Sequence, residues 1–382
     1  MSGQVRGWCP GAWRPMLAED GLILRIRPPL GRLTTEQVKG LAELARGHGQ
    51  ARLGLTSRAN LQWRGLAPEQ HEALLEGLAA LGLLDEDAAR ESARNIVITP
   101  FWQEGDGTLE LARALAEALT EFPALPGKFG FAVDTGAQPV LGDISADIRL
   151  ERAADGRLLV RADGAARGQS ATPETAIACV RALAHWFLES GGAPEGRGRM
   201  RKHLAALHEP LGQDAAPAPA TPAPVPGRHA AGMLAAFAFG EIPVETLDRL
   251  AEVAPEIRLT PWRMVLLPGL AALPDLPGMI LNPDGPMLRV HACTGAPGCA
   301  QAHAPVRALA AGLAAHLPEG TTLHVSGCGK GCAHPGAADF TLTAAPGGFA
   351  LRRKGRADAP ATQTGLDPAS LLSHPRLVFG PD

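Results

Sequence analysis

The sequence predicts a duplicated α+β architecture: two similar halves related by a pseudo-twofold axis, with a site between them. Three observations predict it. A run of alternating Ala and Pro divides the chain, matching segments follow in the same order on either side of it, and four cysteines gather in two glycine-rich loops of the second half.

The dividing run is "GQDAAPAPATPAPVPG", residues 212–227. Alternating Ala and Pro cannot build a packed core and favours an extended, solvated connector. Before it, "LTTEQVKGLAELARGHG" reads as a helix with a Thr cap and apolar residues at Val38, Leu41 and Leu44. It leads into "ARLGLTSRANLQWRG", a strand, a turn and a strand. After the run, "IPVETLDRLAEVAP" is the matching helix and "IRLTPWRMVLLPG" the matching strand and turn. Farther along, "ARNIVITPF" corresponds to "VHACTGAPG", and "GKFGFAVDTG" to "TLHVSGCGKG". Two hairpins close the series, with turns at Asp155-Gly156 and at Pro346-Gly347-Gly348. Several matches in one order indicate duplication. The expected organisation is a half-domain at 1–66, an α+β lobe with a basic face at 67–211, the linker at 212–227, a second half-domain at 228–275, and a second lobe carrying the cysteines at 276–382.

Composition narrows the function classes. The chain has 382 residues, 46% hydrophobic and 20% charged, as expected of a globular protein with a well-buried core. A net charge of -3 gives no reason to expect nucleic acid as the partner. No apolar run approaches the roughly 20 residues that cross a bilayer, so no membrane is expected. "MSGQVRGWCPG" lacks the apolar core of a signal peptide, and a reducing, cytoplasmic location is the expectation. There the cysteines suit metal or catalysis better than disulfides.

Cys293, Cys299, Cys328 and Cys332 follow the spacing C-x5-C, 28 residues, C-x3-C. Between the pairs lie the helical run "APVRALAAGLAAHL" and the strand "TTLHV", so each pair sits on a loop at the end of a strand. Four soft thiolates suit zinc or an iron–sulfur cluster. Structural zinc loops use tighter spacings, and the glycines among these cysteines leave backbone N–H groups free to approach sulfides, which favours [4Fe–4S]. Cys179, in "ETAIACVRALAHWF", reads as a small buried hydrophobe. Cys9 is the one other thiol with a route to the site.

The first half has basic residues where the second has cysteines: Arg58, Arg64, Arg94 and Lys128. The second half adds Arg258 and Arg263. Alternation along "LTSRANLQWRG" puts Arg58, Asn60, Gln62 and Arg64 on one face. Such a face suits a ligand with several carboxylates, because guanidinium forks bind them in pairs. His291, His324 and His334 lie within the cysteine segments and are candidates for proton transfer or a second iron. No G-x-G-x-x-G joins a strand to a helix, so electrons are expected from a separate reductase or ferredoxin.

The cysteine spacing and "LTSRANLQWRG" resemble the sirohaem-type nitrite and sulfite reductase superfamily, over nearly the whole chain. The resemblance implies two ferredoxin-like half-domains and two α+β lobes holding a tetrapyrrole and a [4Fe–4S] cluster between them. Cys293, Cys299, Cys328 and Cys332 would hold the cluster, and Cys332 would bridge to sirohaem iron. Arg58, Arg94 and Lys128 match the basic residues around the bound anion. Two departures stand out: the chain is short for a six-electron reductase, and Gly130 stands where sulfite reductases have a second lysine.

"VRGWCPGAWRPMLAEDGLILRIRPPLGRLT", "LPGKFGFAVDTG", "RLTPWRMVLL" and "SGCGKGCAHP" look more like the oxygen-dependent branch, which serves aerobic cobalamin biosynthesis. That branch implies precorrin-3A and molecular oxygen as substrates, hydroxylation at C20 with γ-lactone closure, and NADH as indirect electron source. The oxygen-activating iron is left open between sirohaem, a mononuclear centre and the cluster itself. Two other readings are a short sirohaem sulfite or nitrite reductase, and a non-catalytic iron–sulfur electron carrier or tetrapyrrole-binding module.

Overall fold

The computed structural model describes residues 10–18, 20–136, 138–206, 210 and 212–380. The first half begins with strands β1 (Met16–Ala18), β2 (Gly21–Ile26), β3 (Arg32–Thr34), β4 (Arg52–Leu55) and β5 (Leu61–Leu66). Helix Thr35–Gly47 lies between β3 and β4. It starts where the sequence predicts, with a capping box in which Thr34 and Gln37 satisfy each other's backbone N–H groups. Its Val38, Leu41, Ala42 and Ala45 are buried. The first lobe follows with β6 (Ile96–Ile98), β7 (Phe131–Asp134), β8 (Ile148–Arg152), β9 (Leu158–Ala162) and β10 (Gln169–Ala171).

The second half repeats the pattern with β11 (Gly227–His229), β12 (Gly232–Phe237), β13 (Glu241–Pro243), β14 (Glu256–Leu259), β15 (Met264–Pro268) and β16 (Met279–Ile280). The second lobe holds β17 (Val290–Ala292), β18 (Leu323–Ser326), β19 (Ala338–Ala345), β20 (Gly348–Gly355) and β21 (Gln363–Leu366).

The duplication reaches the backbone. In each lobe the first three strands run parallel and the last two antiparallel, in orders β6-β7-β8-β9-β10 and β17-β18-β19-β20-β21. Ala59 and Arg263 occupy the same turn with φ of 52° and 58°, and Leu30 and Phe239 share a φ of 57°. Side chains at such φ values are strained, so their repetition marks inherited geometry. The Thr56 hydroxyl accepts the N–H groups of Arg58 and Asn60, and the Thr260 hydroxyl those of Trp262 and Met264.

The two half-domains exchange edge strands. Their sheets run β1-β2-β5-β4-β13 and β11-β12-β15-β14-β3, so β3 of the first half completes the second sheet and β13 of the second completes the first. One core serves both, holding Leu24, Ile26, Leu41 and Trp63 from the first half with Ala235, Leu247, Ile257 and Val265 from the second. The helix His71–Ala80 packs into this core through Leu74 and Leu78, and β16 pairs with β12. Both lie beyond the half-domain ends read from the sequence at 66 and 275.

The Ala/Pro segment also departs from its solvated expectation in part. Ala215 is 4% exposed and bonds to Gly168, and Pro217 bridges to Ala153 along the first lobe. Cys179 is half-buried, packed against the edge of the first lobe's core rather than within it.

Candidate functional site

The two half-domain sheets differ on the face turned away from the shared core. In the first sheet the pairs Ile23↔Arg64 and Arg25↔Gln62 make it polar. In the second the pairs Leu234↔Leu266 and Ala236↔Met264 make it apolar, and all four residues are buried. A single duplicated scaffold thus offers one polar face, and the arginine-rich turn lies at its end.

The basic residues split into two groups. The Arg58 guanidinium donates to the Lys128 carbonyl at 3.2 Å, so these two, separated by 70 positions, meet where the turn approaches the start of β7. Lys128 is exposed, and Arg263 is exposed in the matching turn of the second half. Asn60 is 9% exposed beside Arg58, and Gln62 accepts from Arg25 at 3.3 Å.

The other three arginines are engaged by groups of the protein itself. Arg94 grips both oxygens of Asp85 at 2.8 Å and also donates to the Arg27 carbonyl. Arg258 is buried, with its guanidinium 3.4 Å from the Trp102 ring centroid, its Nε on Glu256, and its Nη1 on the carbonyls of Pro100 and Trp102. Arg64 bonds Asp20 and reaches the Gly298 carbonyl, both at 2.6 Å. Sequence shows an arginine's charge and the face it occupies, but its counter-ion comes from residues distant in the chain. Asp20 was missed; the available signal was its Asp-Gly pair between two apolar runs.

The cysteines follow β17 and β18, as their motif predicts. Gly327 donates its N–H to Cys293 Sγ at 3.2 Å, tying the two loops together. Burial raises the pKa of the Cys332 thiol, and the neighbouring Cys328, Cys293 and Cys299 add to that effect. All four sulfurs therefore share one neighbourhood. Among the described residues no three His, Cys, Asp or Glu side chains converge as a site for one metal ion. An all-thiol set with a backbone N–H aimed at one sulfur is chemically compatible with zinc or a sulfide-bridged cluster. Cys9 lies outside the described residues.

The three histidines meet one another. His291 stacks on His334, with centroids 4.6 Å apart and planes 19° apart, and His324 meets His334 edge-on at 5.8 Å. Parallel pairing of β17 with β18 sets His291 beside His324. Burial, with the neighbouring imidazoles adding to it, lowers the pKa of both His291 and His324 to about 4. Stacked rings turn their faces, not their nitrogens, to each other. Neutral imidazoles are also poor proton donors at pH 7. His324 is fully buried and neither ring nitrogen has a hydrogen-bond partner.

Gly130 has a physical explanation. A Cβ there would lie 2.7 Å from the Asn95 Nδ2 and 3.2 Å from its carbonyl. Asn95 is itself buried and donates to the Phe129 carbonyl at 2.7 Å. The position has no room for a lysine.

Residues 14–81 match the family model of the nitrite/sulfite reductase ferredoxin-like half domain. A precorrin-3B synthase from Sinorhizobium is 29% identical, covering 92% of this chain and 84% of that protein. The chain is similar to proteins of the nitrite/sulfite reductase superfamily. Within the superfamily, a ferredoxin–nitrite reductase of Leptolyngbya laminosa is 26% identical across 92% of this chain and 81% of its own length. One from Synechococcus elongatus reaches 35%, but over only 34% of this chain and 27% of its own. The structure of the Mycobacterium tuberculosis NirA protein superposes with a TM-score of 0.58 at 16% identity, covering 92% of this chain and 79% of that one. That likeness shows a shared fold. Among the described residues no helix is long and apolar enough to cross a membrane.

Proposed function

We propose that this protein is a precorrin-3B synthase: it hydroxylates precorrin-3A at C20 with molecular oxygen, and a ring-A acetate closes to a γ-lactone. One oxygen atom enters the macrocycle and the other leaves as water. The two electrons come from NADH through a separate reductase or ferredoxin.

The observation that carries this reading is Gly130 packed against Asn95. Sulfite reductases have a second lysine at this position. Its loss removes one cation from the set that stabilises a small, highly charged oxyanion. The likeness to the Sinorhizobium precorrin-3B synthase along 92% of the chain supports the same reading.

Cys293, Cys299, Cys328 and Cys332 would hold the [4Fe–4S] cluster. When bound, the cluster supplies one-electron transfer. Arg58, Lys128 and Arg263 bind and orient the macrocycle's carboxylates, with Asn60 and Gln62 as neutral donors on the same face. The polar face of the first sheet fixes the substrate's orientation, while the apolar face of the second sheet stays closed.

Precorrin-3A turnover under oxygen with a reductase system, followed by mass spectrometry for the added oxygen, tests the assignment. Extractable sirohaem together with sulfite or nitrite reduction by reduced viologen would overturn it. Cys328→Ser is expected to lose iron and activity together; a full cluster in that variant would remove Cys328 from the ligand set.

A further inference from the structure

We infer that Asp20 and Arg64 form a clamp that positions the first cysteine loop, acting from the half of the chain that supplies none of the four cysteines. The inference rests on the cluster reading above and deepens it.

Arg64 stands on β5, in the middle of the polar face. Its Nε donates to Asp20 Oδ2 and its Nη2 to the carbonyl of Gly298, 234 positions away and next to Cys299. The two side chains are 28% and 17% exposed, so both bonds are charge-assisted and partly sheltered from water. Asp20 Oδ2 lies 3.1 Å from where a Gly298 Cβ would stand, a close approach that glycine permits.

Within its own lobe the loop makes further backbone bonds. Ala296 bonds to Ala304, Ala302 to Cys299, and His303 to Gly327. The Arg64 bond instead ties the loop to the sheet that carries Arg58 and Gln62. A planar fork therefore helps to set the distance between the carboxylate-binding face and Cys299. A lysine supplies a single flexible ammonium and does not reproduce that two-point geometry. Asp20 neutralises the guanidinium, which is why Arg64 holds backbone rather than substrate.

The test compares Arg64→Ala, Arg64→Lys and Asp20→Asn with the wild-type protein, all full-length and purified anaerobically. Iron and acid-labile sulfide per chain, the EPR spectrum of the reduced protein, and the rate of bleaching in air are measured. Arg64→Ala is expected to bleach roughly tenfold faster or more, the scale of one charged hydrogen bond, with a changed EPR line shape. Arg64→Lys should fall between, and Asp20→Asn should move in the same direction. General destabilisation lowers the melting temperature but leaves the line shape of the remaining cluster alone. Wild-type iron content, line shape and bleaching rate in Arg64→Ala overturn the clamp. If that variant does not fold, Asp20→Asn decides by the same readouts. Wild-type protein that takes up no iron on reconstitution overturns the cluster reading instead, a separate outcome.

Discussion

The Arg58 guanidinium donates to the main-chain carbonyl of Lys128, so the turn of the first half-domain and the entry to β7 present their cations together. Arg58→Ala removes one of these cations and the bond that aligns the two. It is expected to weaken binding of a polycarboxylate tetrapyrrole about tenfold or more, on the scale of a charged hydrogen bond, while iron content stays unchanged. Fluorescence titration with a porphyrin octacarboxylate measures it, and unchanged affinity counts against the carboxylate role.

Gly130→Ala places a methyl group against the buried Asn95 amide, whose own bond to Phe129 holds the same strand entry. Overpacking of this kind costs about 1–3 kcal/mol. Thermal unfolding should show a clear drop in melting temperature. A fully stable Gly130→Lys would show that the site has space for the missing lysine and would reopen the reductase reading.

Arg258→Ala separates structure from ligand binding. The variant loses the stack on Trp102 and leaves two carbonyls without their donor, while Glu256 keeps its pair with Arg32 at 3.1 Å. Loss of a hydrogen bond to a charged group costs about 1.5–3 kcal/mol. Denaturant unfolding should register that loss, whereas tetrapyrrole affinity of the folded fraction should stay at the wild-type value. A selective loss of affinity would restore Arg258 to the binding set.

In cluster-free protein, His324 links stability to pH. Its pKa is about 4 in the folded chain, below the ordinary 6.5, because burial disfavours the imidazolium. Above pH 6.5 the ring is neutral in both states and pH has no effect through it. Between pH 6.5 and 4 the unfolded chain takes up the proton first, so stability falls as pH falls, with a limit of about 1.4 kcal/mol per unit. His324→Phe should flatten this part of a melting-temperature profile, and an unchanged slope would assign it to other groups.

The fold was legible wherever local chemistry decides it. Thr34 and Gln37 announce a helix start, and Val38 and Leu41 mark its buried face. The cysteine loops were legible because their spacing follows from the strands they terminate. What could not be read is pairing between distant residues. β3 and β13 are three residues each, too short for a periodic signal, and nothing within them names the sheet they join. The same holds for the arginines: Arg58 and Arg64 sit six positions apart with similar neighbours, yet one meets Lys128 and the other Asp20 and Gly298. Gly130 was noticed as a departure, but its cause, the Asn95 amide, is a packing fact.

The exchanged strands β3 and β13 make the two halves mutually dependent. A chain severed in the Ala/Pro segment yields two fragments, each missing the edge of one sheet and holding the edge of the other's. Neither fragment can seal its own hydrophobic interior, so each would expose bare strand edges until it found its complement. The molecule behaves as a heterodimer written on a single polypeptide.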